Sequence, residues 1–125
     1  MKIQSYRDLE VWKLSKDLAC NIYAVTDQYP QSERFGLTQQ IRRATVSIMS
    51  NLAEGSARRS KQEFMRFINI ASGSLCEMES QLLLSVDLGY VQNTAAEEIL
   101  IKADRISKML YALHRSLQQP STEYQ

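Results

Sequence analysis

Apolar residues recur at helical spacing in four separate stretches of the chain. They are Val11, Leu14, Leu18, Ile22, Val25 and Tyr29 in the first, and Leu37, Ile41, Ala44, Ile48 and Leu52 in the second. The third carries Phe64, Ile68, Ala71, Leu75, Met78, Leu82 and Val86, and the fourth Ala96, Ile99, Ala103, Ile106, Leu110, Leu113 and Leu117. Steps of three and four keep each set on one helix face, and no stretch alternates with the period of two that a half-buried strand requires. The pattern predicts four amphipathic helices and no strands. Their ends are marked by polar caps: Ser5 before Asp8, Ser60 before Glu63 and Thr94 before Glu97, with Ser32 a weaker candidate after the chain-breaking Pro30. Gly89, followed by Tyr90, has the form of a left-handed helix terminus, and Gly55 marks the end of the second helix or a kink there. Short connections between long helices predict antiparallel neighbours. The expected fold is all-α, an up-down-up-down four-helix bundle forming one domain over residues 1–118, with a flexible tail at 119–125.

Several helices are apolar over more circumference than one bundle seam uses. The first adds Trp12, Ala19 and Tyr23 to its stripe, and the second adds Val46, Met49 and Ala53. The third adds Phe67 and Ile70 on one flank and Met65, Cys76 and Leu83 on the other. A bundle helix in a monomer hides a stripe of about 100°. The surplus is covered by other copies of the chain, with Trp12, Tyr23, Met49 and Phe67 at the interface, or it belongs to a tightly packed monomer with large marginal side chains.

Composition bounds the class of protein. The chain has 125 residues, 44% of them hydrophobic and 23% charged, enough for one domain with a core that needs no covalent staple. Two isolated cysteines, Cys20 and Cys76, and a first segment without an apolar leader point to a reduced, cytoplasmic protein. No apolar run approaches membrane-spanning length. The net charge of +1 means that any contact with a polyanion comes from a local patch.

The usual signatures of chemistry are missing. His114 is the sole histidine, and neither a paired-cysteine motif nor a helical histidine pair suggests a metal. The cysteines have no adjacent base and read as small packing residues. Glu77 and Glu79 are two apart on a helix and diverge, so Glu79, nearer the apolar stripe, is expected to be partly buried beside an arginine. Asn51 and Glu54 are expected to serve as structural polar groups, Glu54 held by an arginine or capping a backbone group. No glycine-rich phosphate loop is present. These readings predict a protein that is not an enzyme and has no cofactor, metal or small-molecule substrate.

One constellation stands above background. Arg42, Arg43, Arg58, Arg59, Lys61 and Arg66 are opposed in their stretch only by Glu54 and Glu63. Arginine forks match phosphate oxygens, so RNA or an acidic protein could dock there. The competing reading is a solvated corner whose charges pair internally. The stretch itself holds no exposed aromatic on which a base could stack, so sequence-specific reading of a single strand is not expected.

The same residues carry a resemblance. Tyr6-Arg7-Asp8-Leu9, Val11-Trp12, Glu33-Arg34-Phe35-Gly36-Leu37, Gln40-Ile41-Arg42-Arg43-Ala44 and Asn51-Leu52-Ala53-Glu54-Gly55 with Arg58 are among its signatures. So are Phe64 with Phe67, Ala71-Ser72-Gly73-Ser74-Leu75-Cys76-Glu77, and Leu88-Gly89-Tyr90. Together they resemble the four-helix-bundle proteins encoded in intervening sequences of bacterial 23S ribosomal RNA genes. More distantly, the chain is similar to the accessory variability proteins of diversity-generating retroelements. The resemblance implies a ring, typically of five subunits, and no catalytic activity; the retroelement relatives imply binding to a reverse transcriptase and to nucleic acid. Those relatives are strongly basic and this chain is near neutral, which confines any such role to the Arg42–Arg66 stretch. Met49-Ser50 also stands where many members carry a proline, which predicts a straighter second helix.

Overall fold

The computed structural model of the chain describes residues 5–118, so the expected tail at 119–125 lies outside the described residues. Four helices account for nearly all of it: α1 (Glu10–Thr26), α2 (Leu37–Ser56), α3 (Lys61–Asp87) and α4 (Asn93–Gln118). Single 3-10 turns, Tyr6–Asp8 and Gln31–Glu33, precede α1 and α2, and no strand occurs among the described residues. Helix α1 packs on α2 and α4, and α3 on α2 and α4. The connection from α2 to α3 is the four residues 57–60, which reach at most about 14 Å. A 27-residue α3 is about 40 Å long, so it can only run back along α2. The α1–α2 pair is fixed in the same sense by Arg42, in the second turn of α2, whose Nε donates to Thr26 Oγ1 at the last residue of α1 (2.8 Å). Lys102 Nζ donates to Asn21 Oδ1 between α4 and α1 (2.7 Å). The result is an antiparallel four-helix bundle.

The four apolar stripes meet in one core, with Leu18, Ile22, Ile41, Ile48, Leu52, Met78, Leu82 and Ile106 fully buried. Side chains of this size each stabilise the fold by about 1.5–3 kcal/mol on burial. Three buried hydroxyls inside the stripes answer their own helices: Ser15 to Val11 O (2.7 Å), Thr26 to Ile22 O (2.6 Å) and Thr45 to Ile41 O (2.6 Å). That local bond satisfies the donor and lets a polar residue sit in the core.

The pairing of α2 with α3 is the most extensive in the molecule. Small residues bring the two backbones together: Ser47 Oγ meets Ser74 Oγ at 2.8 Å, and a Cβ on Gly55 would lie 2.6 Å from Phe67 Cβ. Phe67, expected at a subunit interface, is therefore buried within its own chain against Gly55. Gly55 is the penultimate residue of α2, which ends at Ser56.

The helix ends depart from expectation at three places. Ser60 accepts from Glu63 N–H (3.0 Å) and caps α3 as expected. Ser5 caps the 3-10 turn, accepting from Arg7 N–H, while α1 itself starts behind Leu9 without a side-chain cap. Thr94 lies inside α4, which starts at Asn93, with Ala96 N–H bonded to Gln92 O. Ser32 falls in the 3-10 turn, and α2 is capped instead by Glu33, whose Oε1 accepts from Leu37 N–H (3.1 Å). Gly89 does have the left-handed φ of 77°. Its N–H bonds to Val86 O and the Tyr90 N–H to Ser85 O, closing α3 with a Schellman motif.

Candidate functional site

The six basic residues named from sequence are not one patch. Arg42 and Arg43 lie in the second turn of α2, and Ser56 ends that helix fourteen residues later, about 21 Å along the axis. Arg58 and Arg59 lie in the α2–α3 turn, and Lys61 and Arg66 in the first two turns of α3, at the opposite end of the bundle. Sequence proximity misled because a helix carries its two ends apart while keeping them close in number.

At the turn end, two of the four cations are paired inside the chain. Arg58 Nη2 donates to Glu54 Oε1 (3.0 Å), and Arg66 Nε to Glu63 Oε2 (3.2 Å). Both guanidiniums also lie over the Phe67 ring, 5.0 and 4.7 Å from its centroid, so one aromatic is clamped by two arginines. Arg66 holds the Glu63 carboxyl below its ordinary range by hydrogen bond and charge. Arg59 and Lys61 have no acidic partner among the described residues.

At the other end, Arg42 is bound to Thr26 Oγ1, Tyr23 O and Asp27 Oδ1, and its guanidinium sits 4.5 Å from the Tyr23 ring centroid. It acts as a strut between α1 and α2. Beside it, Arg34 and Arg43 have no acidic partner among the described residues. Between them Phe35 stands 83% exposed, with the Arg34 guanidinium 5.7 Å from its ring centroid. These side chains, with Tyr23 and Thr38, line a shallow hollow of about 240 Å³. Neither Arg34 nor Phe35 was assigned a role from sequence. Their signal was an aromatic lying off every apolar stripe, in a connector, next to a cation.

A carboxylate node anchors this end. Glu33 caps α2 through Oε1 and accepts from the Tyr90 hydroxyl through Oε2 (3.0 Å), and the Tyr90 ring tilts against Tyr29 at 5.4 Å. The bond to Glu33 raises the Tyr90 phenol above its ordinary value. Gly36 leaves room for the capping carboxylate, since a Cβ there would come 2.8 Å from Glu33 Oε1. Glu33, Gly36, Gly89 and Tyr90 thus form one joint holding the α1–α2 connection to the end of α3.

The other named residues are dispersed. Trp12 is half-buried, edge-on to Tyr6 at 5.0 Å with Lys16 over its ring, and its indole N–H is buried without a partner among the described residues. Tyr23 is 45% exposed, and Met49 is half-buried. Asn51 donates to Ser47 O (2.8 Å) and Ser47 Oγ (2.9 Å), steadying the α2–α3 seam. Glu79 lacks the arginine expected for it: no ion pair or hydrogen bond to its side chain occurs among the described residues, and burial together with the charge of Asp104 raises its pKa. Cys20 and Cys76 are exposed thiols, not packing residues. Among the described residues no group of histidine, cysteine, aspartate and glutamate could hold a metal ion, and no helix is long and apolar enough to cross a membrane.

This geometry defines an antiparallel four-helix bundle with arginines at both ends of one helix. The chain belongs to the 23S rRNA-intervening sequence protein family, whose model matches residues 7–112. It is similar to a crystal structure of a protein of unknown function of the S23 ribosomal protein family from Bacteroides thetaiotaomicron. The two share 25% identity with a TM-score of 0.78, over 84% of this chain and 98% of that one. No curated protein matches the chain.

Proposed function

We propose that this protein is a non-enzymatic, self-assembling cytoplasmic module that binds RNA through phosphate contacts at the two ends of α2. The observation that carries this reading is a set of four cations, Arg34, Arg43, Arg59 and Lys61, held at helix ends with no acidic partner among the described residues. Guanidinium forks and a lysine at such positions suit phosphate oxygens, and copies in a ring, of five by family resemblance, would repeat them around a rim and turn weak contacts into avidity. Supporting self-assembly, Leu84 in α3 and Leu88 one turn on, just past its end, are 49% and 48% exposed.

The test is binding of a structured RNA hairpin to the full chain across a salt titration. Affinity is expected to fall steeply with salt, and Arg59→Ala with Lys61→Ala to reduce the log–log slope by about 1–2. An affinity indifferent to salt would sink the phosphate-contact reading. For assembly, the native mass is expected to be a multiple of the protomer and to drop in Leu84→Asp; a single-protomer mass refutes it.

The second reading is a scaffold that binds a protein partner and no nucleic acid. The internal pairing of Arg58 and Arg66 favours it, because Glu54 and Glu63 neutralise half of the positive charge at that end. Recovery of one stoichiometric protein partner, unaffected by nuclease, would select it.

A further inference from the structure

Phe35 is the most exposed large apolar side chain described, at 83%. A ring so placed contributes almost nothing to the core, and its surroundings are cationic. Arg34 lies at its face and Arg43 lines the same hollow. The nearby carboxylates are already committed: Asp27 pairs with Arg42, while Glu33 accepts from Leu37 N–H and the Tyr90 hydroxyl. Glu77 lines a second hollow with Arg43 but makes no ion pair with it, and Gln81 donates to Glu77 (3.4 Å). The surface therefore offers a flat apolar face and two guanidiniums free of ion pairs among the described residues. Tyr23 is not equivalent: it is about half as exposed, and the Arg42 guanidinium at its ring is held in place by Thr26, the Tyr23 carbonyl and Asp27, whereas Arg34 has no ion pair among the described residues.

A flat π-face flanked by cations matches an unpaired nucleobase with its neighbouring phosphates. Duplex bases are stacked on one another and unavailable to such a ring, whereas single strands can splay a base out onto it. Resting on the RNA-binding reading above, we infer that the Arg34–Phe35–Arg43 surface is a single-strand site. One unpaired base stacks on Phe35 and the flanking phosphates meet Arg34 and Arg43. Arg42 is a positioning residue there: its bonds to Thr26, Tyr23 and Asp27 fix the α1–α2 junction from which Phe35 projects.

The test compares a 12-nucleotide oligouridine with a 12-base-pair RNA duplex at one salt concentration, using fluorescence anisotropy and the full chain. Phe35→Ala is expected to weaken oligouridine binding about tenfold while leaving duplex binding unchanged, and Phe35→Trp to restore it. Because Phe35 is exposed, neither variant should shift the melting temperature. Arg34→Ala with Arg43→Ala is expected to weaken oligouridine binding and to flatten its salt dependence. If Phe35→Ala leaves oligouridine binding unchanged, or weakens both probes equally, the stacking site is refuted. If it instead lowers the native mass, the ring is covered by a second copy and the site is likewise refuted. A wild-type chain that binds the duplex with salt dependence but not oligouridine refutes the single-strand site and leaves the broader reading standing. A chain that binds neither removes both.

Discussion

The two ends of α2 use the same residue types to opposite effect. At the α2–α3 turn, Phe67 is buried and clamped by Arg58 and Arg66, and each arginine is tied to a glutamate one turn away. At the start of α2, Phe35 is exposed, and Arg34 and Arg43 have no acidic partner among the described residues. The difference comes from what surrounds the aromatic. Gly55 opens a berth for Phe67 in the helix seam, while Phe35 lies in a connector with no facing helix. An arginine beside an aromatic is thus a structural clamp in one place and an accessible surface in the other.

Removing the berth should have the largest effect. Gly55→Val puts carbon into the space held by Phe67 and Phe64 and is expected to destabilise the fold by about 3 kcal/mol, read as a lower urea midpoint. An unchanged midpoint would mean that the α2–α3 seam is looser than its distances imply.

The joint at the other end is expected to matter less. Glu33→Ala removes the cap of α2 and the acceptor of Tyr90, and should cost about 1–2 kcal/mol. The same joint predicts alkaline sensitivity. Tyr90 has a folded-state pKa raised above its ordinary value of 10.0, so its contribution is complete below that pH and lost as pH rises through the raised value. Wild type should lose melting temperature above pH 10 more steeply than Tyr90→Phe, and parallel profiles would dismiss the Glu33–Tyr90 bond.

Smaller effects separate the charges of the two ends from the charge between them. Glu79→Gln is expected to stabilise the protein at pH 7 by less than about 1 kcal/mol, because burial and Asp104 disfavour the ionised carboxyl. With the folded pKa raised, the wild-type penalty is absent below the ordinary carboxyl range and appears as pH rises. The variant's advantage should vanish near pH 3 in thermal melts, and an advantage that persists there would point to a cause other than charge. Smallest of all, Arg58→Ala should cost about 0.5 kcal/mol or less from its exposed pair with Glu54, plus a contribution of similar size from the lost stacking on Phe67. A loss above 2 kcal/mol would show that the clamp does more than shield the ring.

Much of this was legible in the residues. The steps of three and four placed all four helices, because a helix face is a local property of spacing. Gly89 and Ser60 marked their termini correctly because capping is decided within a few residues. The Thr94 and Ser32 assignments failed where a neighbouring group, the Gln92 carbonyl or the Glu33 carboxylate, met the free N–H instead. The basic stretch was misjudged as one corner because adjacency along a helix was taken for adjacency in space.

The chain's own order of residues therefore determined the helices, their apolar faces and the antiparallel path that short connections enforce. Only tertiary packing decided which aromatic is covered and which arginine is tied. Pairing and burial depend on what another helix brings alongside: Phe35 lies off every apolar stripe, but only the packed bundle decides that no helix covers it.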